Sequence, residues 1–172
     1  MINKLDSDFE VCHFVGLSGV GGVQRNFSEY MKLEIISGNE YKHTIYTLGR
    51  VDDQYQFSTN ILNILELRNL VSLIFDLISK SKIVHFYNNL TSLKVAIFLF
   101  FIPVKKLIVH ERGSAWNLSS KRGFILKFIV WKSDLVLANS MATKALIEKK
   151  FGISKNKIKV IHNGVNTSIS FK

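Results

Sequence analysis

Residues 10–25 read Glu10-Val11-Cys12-His13-Phe14-Val15-Gly16-Leu17-Ser18-Gly19-Val20-Gly21-Gly22-Val23-Gln24-Arg25. Glu10 to Val15 is a short strand-like run, and the glycines after it make a turn. From Val23 onward the apolar residues Phe27, Tyr30, Met31 and Ile35 recur at helical spacing, and Gly38 supplies a stop. A strand that passes through a glycine-rich turn into an amphipathic helix is the opening unit of an α/β sheet. The rest of the chain keeps that rhythm. Strands are expected at Tyr41 to Leu48, Ile61 to Leu65, Ile83 to Tyr87, Lys106 to His110, Leu135 to Ala138 and Ile158 to Ile161. Helices fall between them at Asn69 to Ser79, Thr91 to Phe101, Ser120 to Lys132, and from the Ser140 cap to a left-handed stop at Gly152. Strands of four or five almost uniformly apolar residues between helices imply a mostly parallel sheet covered on both faces. The fold class is therefore α/β, a doubly wound Rossmann-like domain. No repeat, low-complexity tract or proline-rich linker divides residues 1–172.

Composition agrees with one packed core. Of 172 residues, 47% are hydrophobic and 12% aromatic, which excludes disordered and fibrous classes. A single cysteine, Cys12, cannot bridge within the chain and points to a reducing, cytoplasmic setting. Met1 to Asp6 lacks the apolar run of a secretion signal. The most apolar stretch, Ala96 to Val104, is broken by Pro103 and falls short of the roughly 20 residues a membrane span needs. Charge is unevenly placed. Residues 1–100 carry nine basic and ten acidic side chains, a sum of −1, while residues 101–172 carry fourteen against three, a sum of +11. An anionic partner fits such a field, although basic residues on exposed helix faces also serve solubility.

Two phosphate-binding patterns fail on inspection. A G-x-G-x-x-G fingerprint starting at Gly19 would need glycine where Gln24 stands, and the second strand ends in Thr47-Leu48-Gly49-Arg50 without an acid for a ribose. The pattern G-x-x-x-x-G-K-[ST] is absent. Ligands in doubly wound sheets bind beyond the carboxyl ends of the strands. Gly21 and Gly22, opening the first helix, would let backbone amides approach a phosphate, or would merely permit a tight turn. His85, Asn88 and Asn89 follow the fourth strand. His110, Glu111, Arg112 and Trp116 follow the fifth, and a set of hydrogen-bonding groups with an aromatic platform suits a hydroxyl-rich ligand. His110 with Glu111 beside it could move a proton. No closely spaced set of metal ligands is evident, so no metal is expected.

Five segments in order carry a family resemblance: Gly21-Gly22-Val23-Gln24-Arg25, Val84-His85, Val109-His110-Glu111, Leu135 to Ser140, and Ile158-Lys159-Val160-Ile161-His162-Asn163-Gly164-Val165-Asn166. Together they resemble the N-terminal, acceptor-side domain of retaining family-four glycosyltransferases of the GT-B fold. The resemblance covers nearly the whole chain, although most members have Pro at His162 and Asp at Asn166. It implies that His110 is catalytic and faces the transferred sugar. Gly21 and Gly22 would bind the donor diphosphate, with Asn163 and Gly164 at the interdomain hinge. His85, Asn88, Asn89, Glu111, Arg112 and Trp116 would line the acceptor cleft. A nucleotide sugar would be the donor substrate, a saccharide or lipid-linked saccharide the acceptor, and no metal or other cofactor would be needed. Members continue into a second domain holding an E-x7-E pair. No two glutamates here are eight apart. The expectation is thus half of a hexosyltransferase of bacterial lipopolysaccharide or surface polysaccharide synthesis, inactive alone.

The helix over Ser120 to Lys132 is apolar on nearly every side, with Phe124, Phe128 and Trp131 in one stripe. That stripe packs on the sheet or else, with Lys121, Arg122, Lys127, Trp131 and Lys132, contacts an anionic membrane as a peripheral protein. The competing functional class is a non-catalytic module that docks on a membrane or partner. Nucleic acid is not expected as a partner, because the aromatics mostly fall in apolar runs rather than among the basic residues.

Overall fold

The computed structural model describes residues 10–37, 41–78, 82–87, 106–111 and 120–163. In chain order these form β1 (Glu10–Phe14), α1 (Gly22–Ser37), β2 (Lys42–Thr47), β3 (Ile61–Asn63), α2 (Leu67–Ile78), β4 (Lys82–Tyr87), β5 (Leu107–Glu111), α3 (Ser120–Lys132), β6 (Leu135–Ala138), α4 (Met141–Phe151), a 3-10 turn (Lys155–Lys157) and β7 (Ile158–Val160). The expected helix over Thr91 to Phe101 lies outside the described residues. The side chain of Ile35 does too.

All seven strands are parallel, in the order β3-β2-β1-β4-β5-β6-β7. The chain steps outward from β1 to β3, returns through α2 to β4 on the other side of β1, and steps outward again to β7. The reversal between β1 and β4 is the switch point at which doubly wound sheets bind their ligands.

Period-two alternation splits the sheet residues between two layers. Cys12, Phe14, Tyr46, Val84, Phe86, Val109, Val136 and Ile158 meet Leu73 and Leu77 of α2, Ile125, Leu126, Ile129 and Val130 of α3, and Ile147 and Phe151 of α4. On the opposite face Val15, Ile45 and Tyr87 meet Phe27 and Met31 of α1, with Leu17 and Tyr55 from loops.

Several boundaries differ from the sequence reading for local reasons. β3 gives way to a turn after Asn63, whose side chain bonds the Gly49 backbone and accepts the Leu65 N–H. α2 opens at Leu67, earlier than periodicity indicates, since buried Asn69 is spent as a clamp, donating to Asn63 O at 3.0 Å and Glu66 Oε2 at 3.1 Å. α4 ends as its sequence requires: Ser140 Oγ accepts the Thr143 N–H, and Gly152 adopts φ 67° while its N–H bonds Glu148 O.

At the amino end of the sheet, Glu10, Cys12 and Asp76 place three potential ligand atoms within 4.8 Å of one another. Sequence spacing gives no sign of this set, because β1 and α2 bring it together. Its centre belongs to Lys82, whose ammonium lies 2.8 Å from Glu10 and 2.7 Å from Asp76. Burial beside these carboxylates pushes the Cys12 thiol far above its ordinary value, so it is an inert, protonated core residue.

Candidate functional site

The carboxyl ends of β1, β4 and β5 are neighbours in the sheet, so the first glycine loop and His110 are two strand spacings apart, roughly 10 Å. The loop is built rather than slack. Gly19 takes the left-handed backbone, φ 75°, and its N–H donates to Asp52 at 2.7 Å while its carbonyl accepts the Tyr55 hydroxyl at 2.7 Å. Gln24 reaches back to Ser18 O, and the first helical bond runs from Arg25 N to Gly21 O. The two glycines called from sequence are unequal. A Cβ on Gly22 would meet nothing within 4 Å, whereas one on Gly21 would lie 2.6 Å from the Gln24 amide. The open approach is therefore at Gly22, where the first turn of α1 presents its amide groups and the positive end of the helix dipole. Asp52 and Tyr55, which hold this loop, belong to no motif and were not signalled by sequence.

His110 is buried, 6% exposed, near the end of β5. Its ring lies 5.5 Å from that of His85, with planes 5° apart, and 5.5 Å from Tyr87. The register explains the grouping: Tyr87 is opposite His110, and His85 is opposite His13. His13, on the same face, continues the row to His43, with Nε2 of the first and Nδ1 of the second 3.0 Å apart and one donating to the other. Four imidazoles thus cross β2, β1, β4 and β5 in sequence, under Phe27 and Tyr30 of α1. His13 is completely buried, and desolvation with the neighbouring His43 lowers its pKa to about 3. His43 is lowered by burial too, against the opposing pull of Glu34, whose carboxylate is 3.9 Å away. The sequence reading passed over both residues. They become a group only when Glu10↔Lys42 sets the β1–β2 register.

Glu111 requires a correction. It was expected in an irregular loop beside His110, but β5 extends through it, so the two side chains alternate to opposite faces and form no adjacent acid–base pair. Glu111 is fully buried opposite Ala138. Asn163 is exposed beyond β7, four strand spacings and about 19 Å across the sheet from β1, so the fold does not bring it to the glycine loop. Asn88, Asn89, Arg112, Trp116 and Gly164 lie outside the described residues, as do the side chains of Lys121 and Arg122. The α3 stripe points outward: Phe124 is 74% and Trp131 68% exposed, Lys127 is exposed and Lys132 half-buried. Among the described residues no helix is long and apolar enough to cross a membrane.

Comparison with known proteins brings in Glycosyltransferase Family 4, whose profile matches residues 39–169. No curated protein sequence matches the chain. Of solved structures, Anabaena Alr3699/HepE in complex with UDP and glucose aligns with a TM-score of 0.62 at 13% identity, over 92% of this chain and 45% of that one. The same protein in complex with UDP gives 0.59 at 16% identity, again over 92% and 45%. A glycosyltransferase from Rickettsia africae ESF-5 gives 0.57 at 20% identity, over 92% and 44%. These likenesses are of fold, and the chain spans less than half the length of the structures it matches.

Proposed function

We propose that this chain, which belongs to glycosyltransferase family 4, is the acceptor-side half of a retaining hexosyltransferase. Its donor is a nucleotide sugar, its acceptor a saccharide or lipid-linked saccharide of bacterial lipopolysaccharide or surface polysaccharide synthesis, and it is inactive without the donor-binding half. The observation that carries this reading is the position of His110, held against His85 and Tyr87 near the carboxyl end of β5, two strands from the glycine loop at the switch point. That the Anabaena neighbour was solved with UDP and glucose supports a nucleotide-sugar donor.

In such a transfer the bond between the sugar and the diphosphate breaks, and negative charge grows on the departing phosphate. Amides of the first turn of α1 at Gly22 would offset that charge without a metal. His110, enclosed by rings, offers a fixed imidazole to a sugar hydroxyl. Gly19, Asp52 and Tyr55 hold the loop in place, so its geometry is preset rather than formed by the ligand. Asn88, Asn89, Arg112 and Trp116 remain assigned to the acceptor side by resemblance, and Gly164 to the hinge.

The test is transfer of labelled hexose from a nucleotide sugar. This chain alone should give none. In a protein carrying both halves, His110→Ala should lower kcat by about a hundredfold or more with a smaller change in donor KM. Turnover by the isolated chain would sink the half-site reading, and an undiminished kcat in the variant would remove His110 from the chemistry.

A further inference from the structure

The outward face of α3 is not accounted for by sugar transfer. At 100° per residue, Phe124, Phe128 and Trp131 fall on one arc, with Lys127 on one flank and Lys132 on the other. Ile125, Leu126, Ile129 and Val130, on the opposite arc, already fill the core. Phe124 and Trp131 contribute almost nothing to that core, while Phe128 is half-buried, packs against the core at the edge of the stripe and has its ring 6.4 Å from that of Trp131. A helix that buries one apolar face and leaves a second, aromatic one in water has a surface to spend on something else.

Charge identifies the partner. The Lys155–Lys157 turn is tied to the end of α3, since Lys157 Nζ donates to Trp131 O at 2.7 Å. α4 packs on the same side of the sheet as α3 and ends in exposed Lys149 and Lys150. The three acids of residues 101–172 leave this surface positive. Glu111 is fully buried, Asp134 accepts the Leu107 N–H at 2.7 Å, and Glu148 faces Lys144 at 3.9 Å. Aromatic rings flanked by lysines match the layered chemistry of a bilayer surface, apolar at the acyl boundary and anionic at the phosphates.

We propose that the outward face of α3 is a docking surface for an anionic phospholipid bilayer. Phe124 and Trp131 enter the headgroup layer, and Lys127 and the Lys155–Lys157 turn pair with lipid phosphates. The attachment is peripheral and reversible. It stands independently of the transferase reading, because none of these residues belongs to the β1–β4–β5 site.

The test is sedimentation of the protein with vesicles of phosphatidylcholine alone and with about 30% phosphatidylglycerol, at low and high salt. Binding should be at least about tenfold tighter to the anionic vesicles and collapse as salt rises. Phe124→Ser with Trp131→Ser should weaken it about tenfold or more, and Lys127→Gln about fivefold. Phe75→Ser, at a comparably exposed ring on α2, should leave it unchanged. All these positions are exposed, and an unaltered unfolding midpoint checks that each variant folds. Equal binding to neutral and anionic vesicles overturns the proposal, as does full binding by the double aromatic variant. Equally tight binding to duplex DNA that ignores the two aromatics would reassign the basic surface to nucleic acid.

Discussion

Acidification should loosen this protein through His13. The residue is completely buried between Phe27, Tyr30, His43 and His85, and its pKa falls to about 3 against 6.5 for an exposed histidine. The folded state therefore refuses a proton that the unfolded chain accepts. Above pH 6.5 both states are neutral and the stabilising arrangement is complete. As pH drops below 6.5 the unfolded chain gains a proton first, and stability declines until the folded value near 3 is reached. Between pH 7.5 and 5.0 the unfolded state is favoured by about 1.5 pH units of proton binding, or about 2 kcal/mol. At pH 5.0 this figure depends on the unfolded value alone, since a folded pKa anywhere below 4 leaves it almost unchanged. The comparison uses His13→Gln, whose amide reaches the position of Nε2 without titrating. Urea unfolding at the two pH values should show wild type losing about 2 kcal/mol more than the variant. Contributions from groups shared by both proteins cancel in the difference. If both proteins lost the same stability, His13 would have to take up its proton in the folded state, and the picture of a dry, neutral imidazole would be wrong.

Three further substitutions probe other parts of the fold. Gly152→Ala places a Cβ on a residue at φ 67° with no atom within 4 Å of it, so the cost is backbone strain alone, about 1 kcal/mol by urea unfolding. Lys82→Met removes the cation from between Glu10 and Asp76 and should cost about 2 kcal/mol at neutral pH, at the lower end for a buried pair because the site is partly wet. Asp52→Ala frees the Gly19 N–H and should cost about 1.5 kcal/mol, with faster amide exchange confined to residues 18–22 as its local signature.

The order of elements was legible in the sequence because continuous apolar runs such as Leu135 to Ala138 alternate with helical periodicity such as Phe27 to Met31. The glycine stop at 152 and the serine cap at 140 were legible too, since each acts through its own neighbours. What lay beyond reach depends on register. His13, His43, His85 and His110 are scattered over nearly a hundred residues, and only strand pairing shows that they share a face. Local rules also misjudged Glu111: a charged residue normally ends a buried strand, yet here it pairs opposite Ala138 inside the layer. For α3 the aromatic stripe was visible but not its direction. Ile125, Leu126, Ile129 and Val130 form an equally apolar arc, and no periodicity distinguishes which of two greasy faces meets the sheet.

Among the described residues the two outermost strands, β3 and β7, are three residues long each. A parallel sheet that is open at both sides risks recruiting the strands of another molecule through its unpaired amides. Here each rim offers only a stub. The rim at β7 carries exposed Lys159 at its midpoint, and the rim at β3 gives way at once to the Asn63 turn. Short strands and a charged margin are the features that discourage edge-to-edge pairing between sheets.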